Sequence, residues 1–332
     1  MVAKMKLATV GTSFVTEWFI KAAQKEGSFE VTTVYSRSAD KGRAFADKMG
    51  VKGTQSDWKA LLDDSNIDVL YIATPNDTHY DLATQALNAK KHVILEKPQV
   101  SNTKELTALL KTAKANDRYV FDAIIPIHLP NLKVIKDNLH HVGQLKLAHI
   151  TFGKCSSRYA ALLAGEEPAI FSLKNSGGAL MDLGIYPISV FIGLFGAPNK
   201  VFYQCTKYTN GIDLNGVITL TYPDFLAVGV IAKDSDGLAF STFSGDRAWI
   251  NASEAPSQLT QVHLIEKDKS TLISGFQDPQ TMVYEIKDFH HVIANHDDAR
   301  YNDYTKVTKT VFEVMDECRR QTELVFPADG EQ

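Results

Sequence analysis

The sequence has few cysteines, and the three that it has are far apart. Cys155, Cys205 and Cys318 are spread over a chain of 332 residues. This is neither the dense framework of a disulfide-stabilised secreted domain nor the paired spacing of a zinc cluster. The distribution fits a reducing compartment, so we expect a cytoplasmic protein in which these cysteines are packing residues and no metal is bound.

Long apolar runs and an excess of positive charge are also lacking. No window is apolar over the ~18 residues that a membrane-spanning helix requires, and the N-terminal apolar stretch is too short for a signal peptide. The formal net charge is -4 and the pI is about 6.2, without a basic run that could follow a phosphate backbone. The composition argues against a membrane or nucleic-acid role. With 44% hydrophobic residues, the chain is long enough for two domains.

The first third of the chain alternates regularly between short apolar runs and amphipathic segments. The runs predicted as strands are 7–10, 31–35, 69–73, 92–95 and 119–124, and the segments predicted as helices are 17–25, 40–49, 58–62, 79–88 and 104–116. Strands that are apolar throughout are expected where helices cover both faces of a sheet. Successive βα units of this kind wind into a parallel sheet. The pattern predicts a dinucleotide-binding Rossmann domain over residues 1–124.

The remainder, residues 125–332, follows a different pattern. Helices are predicted at 131–140 and after Gly177-Gly178, and a strand at 145–152. Strand-like runs between residues 200 and 273 are separated by turn pairs such as Asn210-Gly211 and Asp236-Gly237. Helices near 281–294 and 304–321 follow. The fold class is therefore α/β, with a second domain built on a mostly antiparallel sheet, which we expect to bind the substrate and to form oligomers.

The stretch LATVGTSFVTEWF, residues 7–19, departs from the dinucleotide fingerprint G-x-G-x-x-G. Gly11 supplies the tight bend, but Ser13 and Thr16 occupy the second and third glycine positions. Ser13 can still offer its backbone N–H and its hydroxyl to a phosphate, and Thr16 can cap the following helix. By itself, the stretch fits a cofactor site and a turn that binds nothing equally well.

The end of the second predicted strand bears on the choice of cofactor. It reads Val34-Tyr35-Ser36-Arg37-Ser38, without the acidic residue that would hold the ribose 2′-hydroxyl of NAD. The Ser36 hydroxyl and the Arg37 guanidinium suit a 2′-phosphate and the adenine face. The alternative is that Arg37 is a solvated surface residue. We expect NADP, with NAD as the alternative.

Three later motifs resemble those of the Gfo/Idh/MocA family of NAD(P)-dependent oxidoreductases. They are Ala73-Thr74-Pro75-Asn76-Asp77-Thr78-His79, Leu95-Glu96-Lys97-Pro98 and Gly177-Gly178-Ala179-Leu180-Met181-Asp182-Leu183-Gly184-Ile185-Tyr186-Pro187. Their order and spacing match the family over essentially the whole chain. The sequence is most similar to the branch of dihydrodiol dehydrogenase and the NADP-dependent aldose dehydrogenases, because Tyr186 stands where the inositol-dehydrogenase branch has His.

The resemblance implies roles in cofactor binding. The Thr74-Pro75-Asn76 loop would lie along the pyrophosphate and the nicotinamide ribose. In Glu96-Lys97-Pro98 the peptide before the proline would be cis, and Lys97 would face the nicotinamide. The predicted cofactor-binding residues are Gly11, Thr12, Ser13, Phe14, Val15, Ser36, Arg37, Thr74, Pro75, Asn76, His79, Glu96 and Lys97.

The same motifs suggest the catalytic groups. Hydride transfer from a carbinol needs a base for the hydroxyl proton, and a free tyrosine has a pKa near ~10. A neighbouring ammonium favours the phenolate, so Lys97 beside Tyr186 would make that tyrosine the acid/base. Asp182 precedes Tyr186 by four residues and would share its helix face, where it would orient substrate hydroxyls or hold Lys97 charged. Pro187 disfavours helical geometry at Tyr186, so the helix either kinks there or begins later than predicted.

One stretch departs from the family pattern. Relatives commonly carry an arginine soon after Glu-Ala, whereas Asp122 replaces the glutamate here, and apolar residues and Pro126 occupy the arginine region. His128 is a possible substitute, with a structural histidine as the alternative.

The resulting functional hypothesis is an oxidoreductase that uses NADP on a sugar, a polyol or another vicinal diol. One alternative is a catalytically silent protein that senses a dinucleotide or sugar and regulates a partner. Another is a glycosidase with a transient NAD redox step. Joint retention of Lys97, Asp182 and Tyr186 favours the enzyme. The resemblance also implies a homodimer or a homotetramer formed through the sheet of the second domain.

Overall fold

The computed structural model describes residues 4–330, and the chain divides into two units. The N-terminal unit ends at Ala123 and also includes Gln280–Thr305, whereas the C-terminal unit consists of Ile124–Pro279 and the residues from Lys306 onward. The sequence pattern placed the boundary after residue 124 and everything beyond it in the second domain. The structure differs for residues 280–305, because a helix in this segment packs on the first helix of the chain.

A six-stranded parallel sheet forms the centre of the N-terminal unit, in the order β3-β2-β1-β4-β5-β6. The order reverses between β1 and β4, the switch point at which doubly wound sheets bind ligands beyond their carboxyl ends. The predicted Rossmann-type sheet is confirmed. Its strands are β1 Met5–Val10, β2 Phe29–Tyr35, β3 Gly53–Gln55, β4 Val69–Ile72, β5 His92–Glu96 and β6 Val120–Ala123. Its helices are α1 Phe14–Glu26, α2 Ala39–Met49, α3 Trp58–Asp63, α4 His79–Asn88, α5 Thr103–Ala115 and α9 Met282–Asn295.

Aromatic packing on one face of this sheet explains why α9 belongs to the N-terminal unit. Phe19 of α1 stacks on Tyr71 of β4 with ring centroids 3.6 Å apart, and Phe289 of α9 stacks on Phe121 of β6 at 4.6 Å. Phe19, Tyr71 and Phe289 are almost completely buried. Burial of large aromatic rings is among the strongest contributions to a core, and it holds α9 far from its neighbours in sequence. The β3 strand was missed because its three residues, Gly53–Gln55, carry no apolar pattern.

The C-terminal unit contains an eight-stranded sheet in the order β14-β13-β12-β11-β7-β10-β9-β8. Only the β7–β10 pair is parallel, so the prediction of a mostly antiparallel sheet is confirmed. The strands are β7 Leu145–Gly153, β8 Lys200–Lys207, β9 Asp213–Thr221, β10 Leu226–Ala232, β11 Phe240–Gly245, β12 Trp249–Ser253, β13 Thr260–Glu266 and β14 Lys269–Leu272. The helices are α6 Pro130–Asn138, α7 Tyr159–Leu163, α8 Ile185–Phe195 and α10 Asp298–Gln321. The boundary between the units at Thr305 falls inside α10, which begins six residues earlier than predicted.

The register of this sheet separates a covered face from an exposed one. Helix α8 packs on the covered face, where a Cβ at Gly229 of β10 would lie 3.3 Å from the ring of Pro187. On the opposite face, the cross-strand pairs Gln204↔Val217, Leu226↔Leu147 and Ser244↔Trp249 align several exposed apolar side chains. The large exposed apolar residues of this face are Leu147, Phe202, Val217, Leu226, Trp249 and Leu272. Within residues 4–330, no helix has the length and hydrophobicity required to cross a bilayer.

Candidate active site

The turn between β1 and α1 requires the first glycine of the fingerprint, whereas other residues occupy the second and third glycine positions. Gly11 has φ 116°, and a Cβ there would lie 2.5 Å from the carbonyl oxygen of Ala73. Ser13 is the N-cap of α1, where its Oγ accepts a hydrogen bond from the Thr16 backbone N–H at 3.4 Å. Thr16 is fully buried. The prediction that Thr16 caps the helix is therefore wrong, because Thr16 is the donor and Ser13 the acceptor. The cap leaves the first-turn N–H groups of α1 pointing at the switch point.

The loop after β2 presents a cation without an acid beside it. The Ser36 hydroxyl accepts a hydrogen bond from the Ser38 N–H at 3.3 Å. Arg37 is exposed and makes no hydrogen bond or ion pair within residues 4–330. Ser38 in turn caps α2 through the Lys41 N–H. The guanidinium is therefore available for a ligand at this edge of the sheet.

His79, at the start of α4, connects two of the predicted cofactor loops. Its ring is fully buried, with Nδ1 3.1 Å from the Pro98 carbonyl oxygen and Nε2 2.9 Å from the Thr74 carbonyl oxygen. Burial lowers the pKa of this imidazole, against the raising effect of the two carbonyls. A neutral ring donates to only one of the two carbonyls at a time. The structure thus places His79 between the loops rather than on their surface.

The loop after β5 carries the Glu96-Lys97-Pro98 motif. The Lys97–Pro98 peptide bond is cis, as the family resemblance implies. Glu96 is buried, and its carboxylate accepts hydrogen bonds from the Tyr71 hydroxyl at 2.6 Å and from the Lys97 N–H at 3.2 Å. Lys97 is partly exposed. The strand end therefore fixes the backbone of Lys97 through a charged side chain underneath it.

Two further carboxyl groups are buried near Glu96, one of them from α9. Burial and the Glu96 charge raise the pKa of Asp122 to about 8, against the lowering effect of Lys97. Burial, reinforced by repulsion from Glu96, Asp122 and Asp288, raises the pKa of Glu285 well above its usual range. Neither carboxyl oxygen of Glu285 has a hydrogen-bond partner within residues 4–330. Burial and the neighbouring negative charges therefore favour the protonated form of Glu285. Sequence reasoning missed it because nothing in the pattern of 281–294 associates this helix with β5.

In the C-terminal unit, two polar side chains lie on an otherwise buried helical segment. A π-helical turn, Leu180–Gly184, leads into α8, and Pro187 lies in the first turn of α8, where proline is tolerated. From residue 176 to 192, every position is buried except Asp182 and Tyr186, which are partly accessible. The Tyr186 ring contacts the Phe152 ring edge to face at 5.4 Å. The helical segment begins at Ala179, directly after Gly177-Gly178 as the pattern predicted, and its departure from regular α-helix before Pro187 is the π-helical turn.

Asp213 of β9 anchors the beginning of this segment. Its buried carboxylate accepts hydrogen bonds from the Leu180 N–H and from the Tyr203 hydroxyl, both at 2.7 Å. Burial raises the pKa of Asp213, while the Tyr203 hydroxyl and backbone N–H groups lower it. A Cβ at Gly178, where φ is 105°, would lie 2.0 Å from Asp213 Oδ1. Gly178 thus makes room for the carboxylate that holds the helix start.

Lys233, directly after β10, forms an ion pair with Asp182. The lysine side chain is 6% exposed and the aspartate side chain 21%. The sequence contains no motif around Lys233, so it did not predict this lysine as a site residue. Within residues 4–330, no group of three or more His, Cys, Asp or Glu side chains is arranged to hold a metal ion.

Comparison with known protein families identifies the family of this chain. The model of the oxidoreductase family with an NAD-binding Rossmann fold matches residues 5–123, and the model of the GFO/IDH/MocA C-terminal domain matches residues 140–250. The chain belongs to the Gfo/Idh/MocA family. It is therefore an NAD(P)-dependent oxidoreductase.

The relatives and solved structures that resemble this chain include an inositol dehydrogenase, a diol dehydrogenase and a ketoreductase. The chain is 32% identical over 327 residues to scyllo-inositol 2-dehydrogenase (NADP(+)) IolU of Bacillus subtilis (strain 168), covering 98% of this chain and 99% of that one. It is 30% identical over 199 residues to trans-1,2-dihydrobenzene-1,2-diol dehydrogenase of Danio rerio, covering 58% and 57%. A crystal structure of KijD10, a 3-ketoreductase from Actinomadura kijaniata, has the same fold, with a TM-score of 0.85 at 19% identity over 96% and 98% of the two chains.

The structure brings the predicted Gfo/Idh/MocA cofactor residues of the N-terminal unit to one edge of its sheet. Phe14, in the first turn of α1, is 68% exposed and meets Trp18 edge to face at 5.0 Å. Thr12, Val15 and the Thr74–Asn76 loop are exposed or partly exposed at the same edge. His128, considered as a substitute for the family arginine, is buried in the turn after β6.

The buried acid on α9 generates a test of stability. The Glu285 carboxyl titrates near ~4.3 in the unfolded chain and well above its usual range in the folded protein. Between these two pKa values the folded state holds a proton that the unfolded state has lost, so stability decreases as pH rises. We expect Glu285→Gln to reduce the fall in melting temperature between pH 5 and pH 8. The matched control is Glu313→Gln, at an exposed position of α10. An unchanged pH slope in Glu285→Gln would show that this carboxyl is ionised.

Proposed function

We propose that this protein transfers a hydride between NADP(H) and a carbinol or carbonyl of a sugar, polyol or vicinal diol. Tyr186 is the acid/base, Lys97 is its electrostatic partner, and Asp182 orients the substrate hydroxyls. The domain that carries Tyr186 is the substrate-binding domain. The observation that carries the proposal is the pair Asp182 and Tyr186, the two accessible positions on a helical segment that is buried from residue 176 to 192.

Burial on both sides of this pair supports a functional role. A tyrosine and an aspartate with only structural roles would be expected among the buried positions or in solvent, not alone on an apolar helix. Their spacing of four residues places them one above the other on one helix face. A substrate with neighbouring hydroxyls can then meet the phenol with one hydroxyl and the carboxylate with the next. A vicinal diol has this spacing of polar groups.

In the proposed mechanism, Tyr186 transfers the proton and Lys97 stabilises negative charge. NADP supplies the hydride acceptor at the substrate carbon when it is bound. The phenolate of Tyr186 takes the hydroxyl proton as the carbonyl forms, and the phenol returns it in reduction. The ammonium of Lys97 favours the phenolate and the developing alkoxide. The hydrogen bond from the Lys97 N–H to Glu96 fixes the backbone from which this ammonium extends.

The preference for NADP rests on the loop after β2. Arg37 is exposed and unbonded within residues 4–330, and no acidic side chain from β2 competes for it. A guanidinium binds a phosphate through charge-assisted hydrogen bonds, whereas the ribose hydroxyl of NAD offers it no charge. IolU, at 32% identity, is an NADP(+) enzyme by its name, and the solved KijD10 structure contains NADP. Both support the same preference.

Substitution of Arg37 tests the choice of cofactor. We expect Arg37→Ala to weaken NADPH binding by about 10- to 100-fold, because a charge-assisted hydrogen bond is lost, with little effect on NADH. The measurement is a fluorescence titration with each reduced cofactor. Arg320→Ala, at an exposed arginine paired with Glu317, is the control and should leave both affinities unchanged. Equal losses for NADPH and NADH would contradict the 2′-phosphate role.

Substitution of Tyr186 tests the mechanism. We expect Tyr186→Phe to lower kcat by about 100- to 10,000-fold, the range for loss of a general acid/base, while NADPH binding persists. The assay is steady-state kinetics over a panel of polyols, aldoses and diols. Tyr208→Phe removes a hydroxyl that donates to the Leu162 carbonyl oxygen and is the control.

The same panel separates the proposed enzyme from the alternatives. Cofactor binding without turnover of any substrate would favour a silent sensor of dinucleotide or sugar. Product formation without net reduction of the cofactor would indicate the transient redox step of a glycosidase.

The exposed face of the C-terminal sheet is the proposed assembly surface. Phe202, Val217, Leu147 and Trp249 lie on four different strands of this face, and each is at least 40% exposed. An apolar face of this extent on a regular sheet matches a second copy of itself, as in a two-fold symmetric dimer. We propose a homodimer through this face, with a homotetramer as the alternative.

Placing a charge on this face tests the assembly. We expect Val217→Asp to raise the dimer dissociation constant by about 100-fold or more, because the interface would bury an unpaired carboxylate. Sedimentation velocity over a concentration series measures the shift. Phe276→Asp is the control, since Phe276 is 88% exposed and lies outside the sheet. A wild-type protein that sediments as a monomer at all concentrations would refute the proposal.

A further inference from the structure

The ammonium of Lys233 lies underneath the helical turn that carries Asp182. Its side chain is 6% exposed, and it donates a hydrogen bond to Asp182 Oδ2 within the ion pair. The Lys233 backbone is held on both sides: its N–H donates to the Leu214 carbonyl at 2.8 Å, and its carbonyl accepts from the Ser156 N–H at 2.8 Å. The position of the ammonium is therefore determined by the sheet rather than by a mobile loop.

Burial of this ammonium is energetically unfavourable unless an opposite charge compensates it. An isolated buried lysine loses its hydration and tends to become neutral. The Phe171 ring, 6.0 Å from Nζ, offers at most a weak cation–π contact. The Asp182 carboxylate provides the compensation. An apolar side chain of the same volume would often be as stable at such a site, so the pair calls for an explanation beyond stability.

The chemistry of the neighbouring Tyr186 supplies that explanation. A carboxylate one helical turn from a phenol disfavours the phenolate by repulsion and so raises the energy of the base form. A carboxylate is nevertheless a good acceptor for substrate hydroxyls. Pairing with the Lys233 ammonium offsets much of this charge, while the carboxylate keeps its capacity to accept hydrogen bonds from substrate hydroxyls.

We propose that Lys233 is a positioning residue that holds Asp182 ionised, oriented toward the substrate hydroxyls, and electrically neutralised beside Tyr186. The proposal rests on the proposed function of Asp182 and Tyr186 and goes beyond it by naming the group that makes the two compatible.

Other charged groups near this segment have partners of their own. Asp213, from β9, accepts from the Leu180 N–H and the Tyr203 hydroxyl. Asp234, next to Lys233, accepts from the Asn215 side-chain amide at 2.8 Å. Lys154 is 73% exposed and lies 3.9 Å from Asp236 in solvent. Lys233 forms an ion pair with Asp182, and Lys154, whose N–H donates to the Ala232 carbonyl of β10, offers a matched surface lysine beside the same strand.

The test compares Lys233→Met, Asp182→Asn, the double variant and Lys154→Met. For polyol oxidation, we expect Lys233→Met to raise KM at least about 10-fold and to shift the acid limb of kcat/KM upward by about one pH unit. The sign follows because turnover requires the phenolate, and loss of the Lys233 charge increases the repulsion from the Asp182 carboxylate. The double variant removes the carboxylate charge as well, so its acid limb should return to the wild-type position while KM stays high. Lys154→Met should match the wild type in both parameters.

A merely structural role would give a different result. If Lys233→Met lowers the melting temperature but keeps the wild-type KM and acid limb, the proposal is overturned. NADPH titration shows whether each variant is folded. If Lys233→Met does not fold, Asp182→Asn and the double variant decide, since an unchanged KM in a folded Asp182→Asn protein overturns the proposal equally.

Failure of the proposed function looks different from failure of this inference. A wild-type protein without turnover on the whole panel refutes the function. Even then, a double-mutant cycle tests whether Lys233 and Asp182 interact. It compares the melting temperatures of the wild type, Lys233→Met, Asp182→Asn and the double variant. If the double variant loses less stability than the two single variants together, the two side chains interact. Wild-type turnover with unchanged kinetics in Lys233→Met refutes the inference alone.

Discussion

A parallel sheet places the carboxyl ends of all its strands at one edge, and the N-terminal unit depends on this constraint. Strands β1, β2, β4 and β5 deliver Gly11, Arg37, Thr74 and Lys97 to one edge. Each strand end brings one loop, and no loop contains the site alone. The reversal of strand order between β1 and β4 opens the space into which the N-terminus of α1 points. The grouping of the proposed cofactor residues at this edge is a consequence of strand direction.

Buried polar groups then hold these loops in place. His79 joins the Thr74 loop to the Pro98 loop, and Glu96 holds the backbone of Lys97. Such groups are tolerated in the interior only when they are bonded or neutral. The raised pKa of Glu285 favours the second condition.

The C-terminal unit solves a different problem, which is to keep two polar side chains on a buried helix. Asp213 anchors the helix start, Pro187 packs on Gly229, and Lys233 compensates Asp182. The π-helical turn before α8 carries Asp182, and such turns are frequent at functional sites. Packing on both sides leaves Asp182 and Tyr186 as the accessible positions between residues 176 and 192.

The sequence alone determined the parallel sheet, the mostly antiparallel sheet and the motif residues, because apolar periodicity and local turns are properties of short segments. It predicted the glycine requirement at Gly11 but assigned the helix cap to Thr16 instead of Ser13, a choice between two hydroxyls that backbone geometry makes. The return of α9 to the first sheet, the raised pKa of Glu285 and the pairing of Lys233 with Asp182 were decided only by tertiary structure. Each joins residues far apart in sequence, and their burial and charge depend on contacts that no local pattern contains.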